Sequence, residues 1–168
     1  APLVEPDFHF DLDSLESLGI KKLHAVMGAS MGALQAYEWA ATYPEMVGRV
    51  IPVIGSGFTD GNLIAWLDIW AAPIKVDPDW NNGAYYDKKP PLKGLAQSLK
   101  IVTLHAQSWK WANETFGRAW ADPAKDPAKS LDNRYKIEAA LDAAGEARAK
   151  LSDANHFLYL VKANQLFV

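Results

Sequence analysis

Five residues, Gly28-Ala29-Ser30-Met31-Gly32, constrain this chain more than any others. They match G-x-S-x-G, and their flanks supply the context that gives the pattern meaning. A β-rich run over residues 23–27 enters the turn, and a helix-forming run over 33–43 leaves it and stops at Pro44. A serine at the tip of so tight a strand-to-helix turn is held in a strained conformation with its hydroxyl exposed. The residues two before and two after it approach each other, which predicts glycine at both Gly28 and Gly32. The first N–H groups of the following helix, together with its dipole, favour a developing oxyanion, and the Met31 N–H is the natural first donor. Ser30 is therefore read as a nucleophile; the structural alternative is a glycine-rich turn with an incidental serine.

Other chemistries find little support in the sequence. The histidines His9, His24, His105 and His156 lack metal-ligand spacing, and with no cysteine there are neither disulfides nor thiolate sites, so no metal is expected. No P-loop or G-x-G-x-x-G occurs. A net charge of −3 without a basic run argues against a nucleic-acid surface. No apolar run is long enough to span a membrane, and the first residues lack a signal-peptide pattern; with the absence of cysteine this predicts a cytoplasmic protein.

A second β-rich run, residues 48–54 (GRVIPVI), follows the elbow helix, and Pro52 places it near a sheet edge or a strand end. Strand, helix and strand form a βαβ unit, which predicts an α/β fold with a parallel sheet flanked by helices. Upstream, DSLESLG reads as a short helix. From residue 58 onward the patterns are helical, over 62–72, 92–107, 109–120, 130–150 and 153–167, separated by proline-rich and aspartate-rich turns. The Ala/Lys/Glu-rich stretch 136–150 reads as a solvated helix. Two parallel strands do not make a stable sheet. Residues 1–58 are thus expected to be part of a larger α/β core, and 59–168 a helical lid region returning towards it, with the remaining core strands outside this chain. The chain alone is not expected to melt as a cooperative monomer.

Three segments carry a resemblance to a known family: GASMGALQAYEWAATYPEMV around Ser30, DPDWNNGAYY with PLKGLA following it, and SDANHFLYLVKA near the C-terminus. In order and approximate spacing they resemble the homoserine O-acetyltransferase family of α/β-hydrolase-fold enzymes, from about Leu18 onward. The resemblance implies a partial α/β-hydrolase core with an inserted helical lid, and acyl transfer through a covalent acyl-enzyme on Ser30. The substrate would be a small acyl ester or thioester, and an alcohol or water would accept the acyl group. No bound cofactor is implied; acetyl-CoA would enter as an acyl-donor substrate. The triad of this fold runs Ser, Asp, His, and the resemblance places the last two beyond SDANHFLYLVKANQLF. A companion chain or further segment completing the core is expected, and a homodimer is compatible with it.

Within the chain, Asp153 and His156 invite a triad reading, against the simpler one in which Asp153 caps a helix. Family members more often carry a small polar residue at the His156 position. Genuine homoserine acetyltransferases carry a lid arginine that pairs with the substrate carboxylate, and aligning Gly94-Leu95-Ala96 places Leu99 there. Lys100 is one position on, about 100° around a helix. A leucine cannot pair with a carboxylate, which favours an uncharged acceptor or a simple ester. Ala29 and Ala33 stand where the family usually shows glycines. Asp60 and Asn62, after the second strand, are pocket candidates, with helix capping the alternative for Asp60. Trp66, Trp70, Trp80, Trp109, Trp111 and Trp120, with Tyr85 and Tyr86, either line a tunnel or form the core of the helical block. Three functions are in view: an acyl esterase or O-acetyltransferase with a non-homoserine acceptor, a homoserine O-acetyltransferase, and a non-catalytic binding or assembly subunit with a relic serine.

Overall fold

A computed structural model describes the backbone of residues 8–168 and the side chains of residues 12–168. The chain divides into two compact units, Ala1–Ala65 with Lys162–Val168, and Trp66–Val161. No described helix is long and apolar enough to cross a membrane.

The first unit contains α1 (Phe8–Ser17), β1 (Val26–Ala29), α2 (Met31–Thr42) and β2 (Val50–Val53). The strands pair in parallel, with Val26 opposite Val50 and Ala29 opposite Val53. The apolar face of α2, with Ala33, Leu34, Ala36 and Trp39 buried, packs on both strands. This is the predicted βαβ unit, with shorter strands. Residue 23, expected inside the first strand, makes only an isolated parallel bridge to Val47. The second strand stops at Val53 because Ile54 turns left-handed, at φ 50°. Met27, Ile51 and Val53 are exposed, and the register puts Met27 beside Ile51 on one face. Parallel sheets normally bury both faces; here α2 covers one, and the described residues leave the face of Met27 and Ile51 exposed. The end of the chain is tied to the start of α3 (Gly61–Val76): the Thr59 N–H donates to Phe167 O at 2.9 Å, and Gln165 Nε2 donates to Ile64 O at 3.1 Å.

The second unit continues α3 into a short 3-10 stretch (Pro78–Gly83), α4 (Leu92–His105), α5 (Trp109–Thr115), α6 (Lys136–Ala149) and the first two turns of α7 (Ala154–Gln165). Its core joins Ile74, Tyr85, Leu95, Ala96, Leu99, Ala149 and Ala154, with Trp80, Phe157 and Leu158 packed against it. Buried Asp77 links two elements: its carboxylate accepts the Asp79 N–H at 2.9 Å and the Gly94 N–H of α4 at 2.7 Å.

Three helical expectations need correction. α5 ends at Thr115, five residues early, because Gly117 takes φ 52° and its N–H closes the helix on Ala112 O at 3.2 Å. α6 starts at Lys136 instead of residue 130. The preceding residues are used in an Asp126–Asn133 turn and an antiparallel bridge between Trp120 and Tyr135. Nor is α6 wholly solvated: Leu141, Gly145 and Ala149, four residues apart, are buried against α4. A stripe of small residues has little hydrophobicity, so the sequence pattern hides it. A Cβ on Gly145 would lie 2.4 Å from Ala96 O, so the two helix backbones meet there. Gly145→Ala is expected to destabilise the protein by about 1–3 kcal/mol through overpacking, read as a lower urea midpoint at unchanged m-value.

Candidate active site

β1 delivers Ser30 to the tip of the turn and α2 carries the chain away. Ser30 sits at φ 54° and ψ −119°, far from any well natural to an L-residue, and is exposed. Such a conformation costs about 1–3 kcal/mol and persists only where its surroundings impose it. Here the Ser30 N–H donates to Val53 O of β2 at 2.9 Å, and Ser30 O accepts the Ala33 N–H at 2.9 Å. The Ser30 side chain makes no capping bond to α2. Both backbone groups are committed, therefore, while the hydroxyl is not. Met31 opens α2, and the first N–H groups of a helix have no intrahelical acceptor. The crowding expected of both glycines is one-sided. A Cβ on Gly28 would lie 2.0 Å from Gly32 O, whereas one on Gly32 meets nothing within 4 Å among the described residues.

The other candidates are placed elsewhere. Asp60 accepts the Leu63 N–H on Oδ1 at 2.8 Å and so caps α3; Asn62 is exposed in the first turn of that helix. Leu99 is buried in the helical core. Its neighbour Lys100 pairs with Asp142 of α6 at 2.6 Å, and Arg134 pairs with the same carboxylate. The hydrogen bond from Lys100, aided by Arg134, outweighs burial and holds Asp142 below the usual carboxylate range. Among the described residues no imidazole hydrogen-bonds Ser30. His24 faces Arg49, with Nε2 2.9 Å from the guanidinium. His105 Nδ1 accepts the Trp70 indole N–H at 2.8 Å, with the Trp66 ring 4.3 Å away. The side chain of His9 lies outside the described residues.

Asp153 has a different task from the one a triad would give it. Its Oδ1 accepts the His156 N–H at 2.7 Å and the Tyr86 hydroxyl at 3.3 Å, and its Oδ2 accepts the Tyr85 hydroxyl at 2.5 Å. The Tyr85 oxygen in turn accepts the Ala154 and Asn155 N–H groups at 3.1 and 3.2 Å. Asn155 receives the Trp80 indole N–H at 3.0 Å and donates to Gly83 O at 2.9 Å. The carboxylate thus caps α7, and the exposed His156 imidazole acts on it only through its charge. This knot ties DPDWNNGAYY to SDANHF across about 70 residues, a partnership that no local pattern in either segment announces.

The knot sets a pH dependence. Burial, and then the bond to Asp153, pushes the Tyr85 phenol up to about 12. Burial raises the Asp153 carboxyl, but bonds from Tyr85, the His156 N–H and Tyr86 outweigh it and leave the group below its ordinary value. A raised Tyr85 contributes stability that is complete below its unfolded value near 10 and is lost as pH climbs through about 12. A depressed Asp153 contributes stability present above its unfolded value and lost as pH falls through the folded one. Tyr85→Phe is expected to cost about 1–3 kcal/mol at neutral pH, because two N–H groups lose their acceptor. It should also flatten the alkaline limb between about 10 and about 12 in a series of urea titrations.

The family model for the alpha/beta hydrolase fold matches residues 7–132. A serine O-succinyltransferase of Emericella nidulans is 37% identical over 153 residues, which are 91% of this chain and 29% of that protein. A homoserine O-acetyltransferase of Moorella thermoacetica is 37% identical over 152 residues, 90% of this chain and 40% of that protein. The crystal structure of esterase E22 superposes with a TM-score of 0.85 at 44% identity, covering 95% of this chain and 44% of that one. That of a homoserine O-acetyltransferase from Bacillus anthracis superposes at 0.84 and 27% identity, covering 95% and 42%. The chain thus spans 29% and 40% of the length of these two curated relatives.

Proposed function

Because this chain belongs to the alpha/beta hydrolase fold family, we propose that it carries the nucleophile of a serine acyl esterase or O-acyltransferase acting on small acyl esters or thioesters. The observation that carries this reading is Ser30 itself: strained at φ 54°, exposed, its backbone held from both sides and its hydroxyl unused by the fold. Ser30 Oγ attacks the acyl carbonyl, and the tetrahedral oxyanion is met by the Met31 N–H at the positive end of α2. Collapse breaks the bond to the leaving alkoxide or thiolate and leaves an acyl-enzyme. Water or an alcohol then attacks that ester and frees Ser30. A serine hydroxyl needs a base, and the aspartate–histidine pair is assigned to a further segment or companion chain that completes the site, in a cytoplasmic protein.

An uncharged acceptor is favoured over homoserine. That preference rests on the alignment, which sets the uncharged Leu99 where the family's carboxylate-pairing arginine stands. Acetyl-CoA fits this scheme as the acyl donor, bound as substrate. Homoserine O-acetylation is the second reading, and the similarity to proteins bearing that name favours it.

A fluorophosphonate probe applied to the full protein, followed by peptide mass mapping, tests the nucleophile. One adduct on Ser30 supports it; an unlabelled, folded protein leaves a binding or assembly subunit with a relic serine. Product analysis with acetyl-CoA then separates free acetate, O-acetylhomoserine and other acetyl esters.

A further inference from the structure

Four described residues other than glycine have positive φ: Ser30, Ile54, Asn81 and Asn82. Asparagine tolerates the left-handed region, whereas a β-branched isoleucine enters it only under strain. Ser30 and Ile54 also stand side by side. β1 and β2 run parallel with Ala29 opposite Val53, so each is the first residue beyond the carboxyl end of its strand. Open α/β sheets bind ligands at that edge. Contacts on both sides of Ile54 fix it there. The preceding carbonyl, Val53 O, accepts the Ser30 N–H at 2.9 Å. On the following residue, Gly55, a Cβ would lie 2.4 Å from Ala33 Cβ and 3.3 Å from Ser30 O, so this backbone lies directly on the elbow. Yet Ile54 is 83% exposed, and at φ 50° a glycine would make the same turn without strain. The described fold thus bears the cost of an isoleucine at this point and gains no packing from it. A strained, exposed apolar side chain beside a strained nucleophile has its use in a bound ligand.

We propose that Ile54 is a specificity residue, an apolar wall against which the acyl chain of the substrate packs and which limits the length of that chain. The proposal rests on Ser30 being the acyl nucleophile. The chemistry selects the acyl portion over the alcohol. Once Ser30 Oγ has attacked, the alkoxide or thiolate leaves, whereas the acyl chain stays bonded to the serine until water or an alcohol displaces it. The residue next to the nucleophile across the sheet lies beside that chain in both half-reactions. Isoleucine offers a branched, apolar surface with no hydrogen-bonding group, which suits a short alkyl chain.

The test compares p-nitrophenyl acetate with p-nitrophenyl butyrate on the full protein, so that only the acyl chain changes. Ile54→Ala is expected to raise the butyrate-to-acetate ratio of kcat/KM about tenfold, the lower end of what one methylene is worth in an apolar pocket. Ile54→Phe, which extends the wall, should lower the ratio. If the alanine variant does not fold, Ile54→Gly stands in, since φ 50° suits glycine and the side chain is likewise removed. An unchanged ratio in the shortened variant overturns the proposal and leaves Ile54 a residue of the fold. So does a shift in the same direction in the shortened and phenylalanine variants, the mark of a general disturbance of the site. A wild-type protein that does not label with fluorophosphonate at Ser30 instead defeats the acyl-enzyme reading itself, which separates the two failures.

Discussion

Ser30→Ala is expected to remove fluorophosphonate labelling and to lower kcat for ester cleavage by about 10,000-fold or more, the scale on which a serine nucleophile acts with its base and oxyanion hole. Stability, unlike that of a protein losing a structural serine, should hardly move. The Ser30 hydroxyl does not cap α2, so its loss is expected to change unfolding free energy by no more than about 0.5 kcal/mol. Ser30→Gly makes the contrast sharper. At φ 54° and ψ −119° a glycine relieves strain of about 1–3 kcal/mol, less about 0.5–1 kcal/mol for its own flexibility in the unfolded chain. The glycine variant should therefore be inactive and, on balance, more stable. A capping or packing serine would give the reverse result, with stability lost on truncation and activity largely kept. Urea unfolding alongside initial rates on a simple acetate ester separates the cases.

Of an alanine placed at each glycine of the chain, Gly28→Ala is expected to have the largest effect on the fold. Its Cβ would lie 2.0 Å from Gly32 O and 2.3 Å from Gly32 C, and both are backbone atoms that cannot rotate aside. Either β1 or the start of α2 must shift, at a cost of about 3 kcal/mol or more. The shift would move Ser30 relative to the Met31 N–H, and a displacement of about 1 Å at a reacting group costs on the order of 100-fold in rate. Stability and kcat should thus fall together. The matched control is Gly32→Ala, where the added methyl meets nothing within 4 Å among the described residues and alanine suits the first turn of a helix. Its stability should change by less than about 1 kcal/mol. Equal damage from both substitutions would mean that the two glycines crowd each other symmetrically.

The elbow was legible because its cause is local. The change from a strand pattern to a helix pattern, the glycines at fixed offsets and Pro44 at the helix end all lie within about 20 residues. The parallel pairing of β1 with β2 followed from the same stretch, since a strand, a helix and a strand in succession have few ways to pack. Long amphipathic segments such as α3, α4 and α7 also announced themselves. α6 did not show its buried side, because Leu141, Gly145 and Ala149 make a stripe too weakly apolar to stand out beside a charged surface. The early end of α5 depends on one glycine, Gly117, turning left-handed, an option that glycine always has and does not always take.

The candidate site divides along the same line. Ser30, Met31, Gly28 and Gly32 could be named from the chain because their roles depend on covalent neighbours. Whether Asp153 belonged to a triad or to a helix cap could not, since the choice rests on Tyr85, 68 residues away, which takes one of its oxygens. Leu99 looked like a pocket residue by alignment, and its burial among Ile74, Leu95 and Ala149 is a matter of how α3, α4 and α6 stack. The sequence by itself determined the strand–serine–helix turn, since backbone sterics over a few residues leave little choice. Only the tertiary structure decided which side chains were spent on holding the chain together and which, like Ser30, were left with an exposed, unused hydroxyl. That outcome depends on partners brought near by folding, and distance along the chain does not encode them.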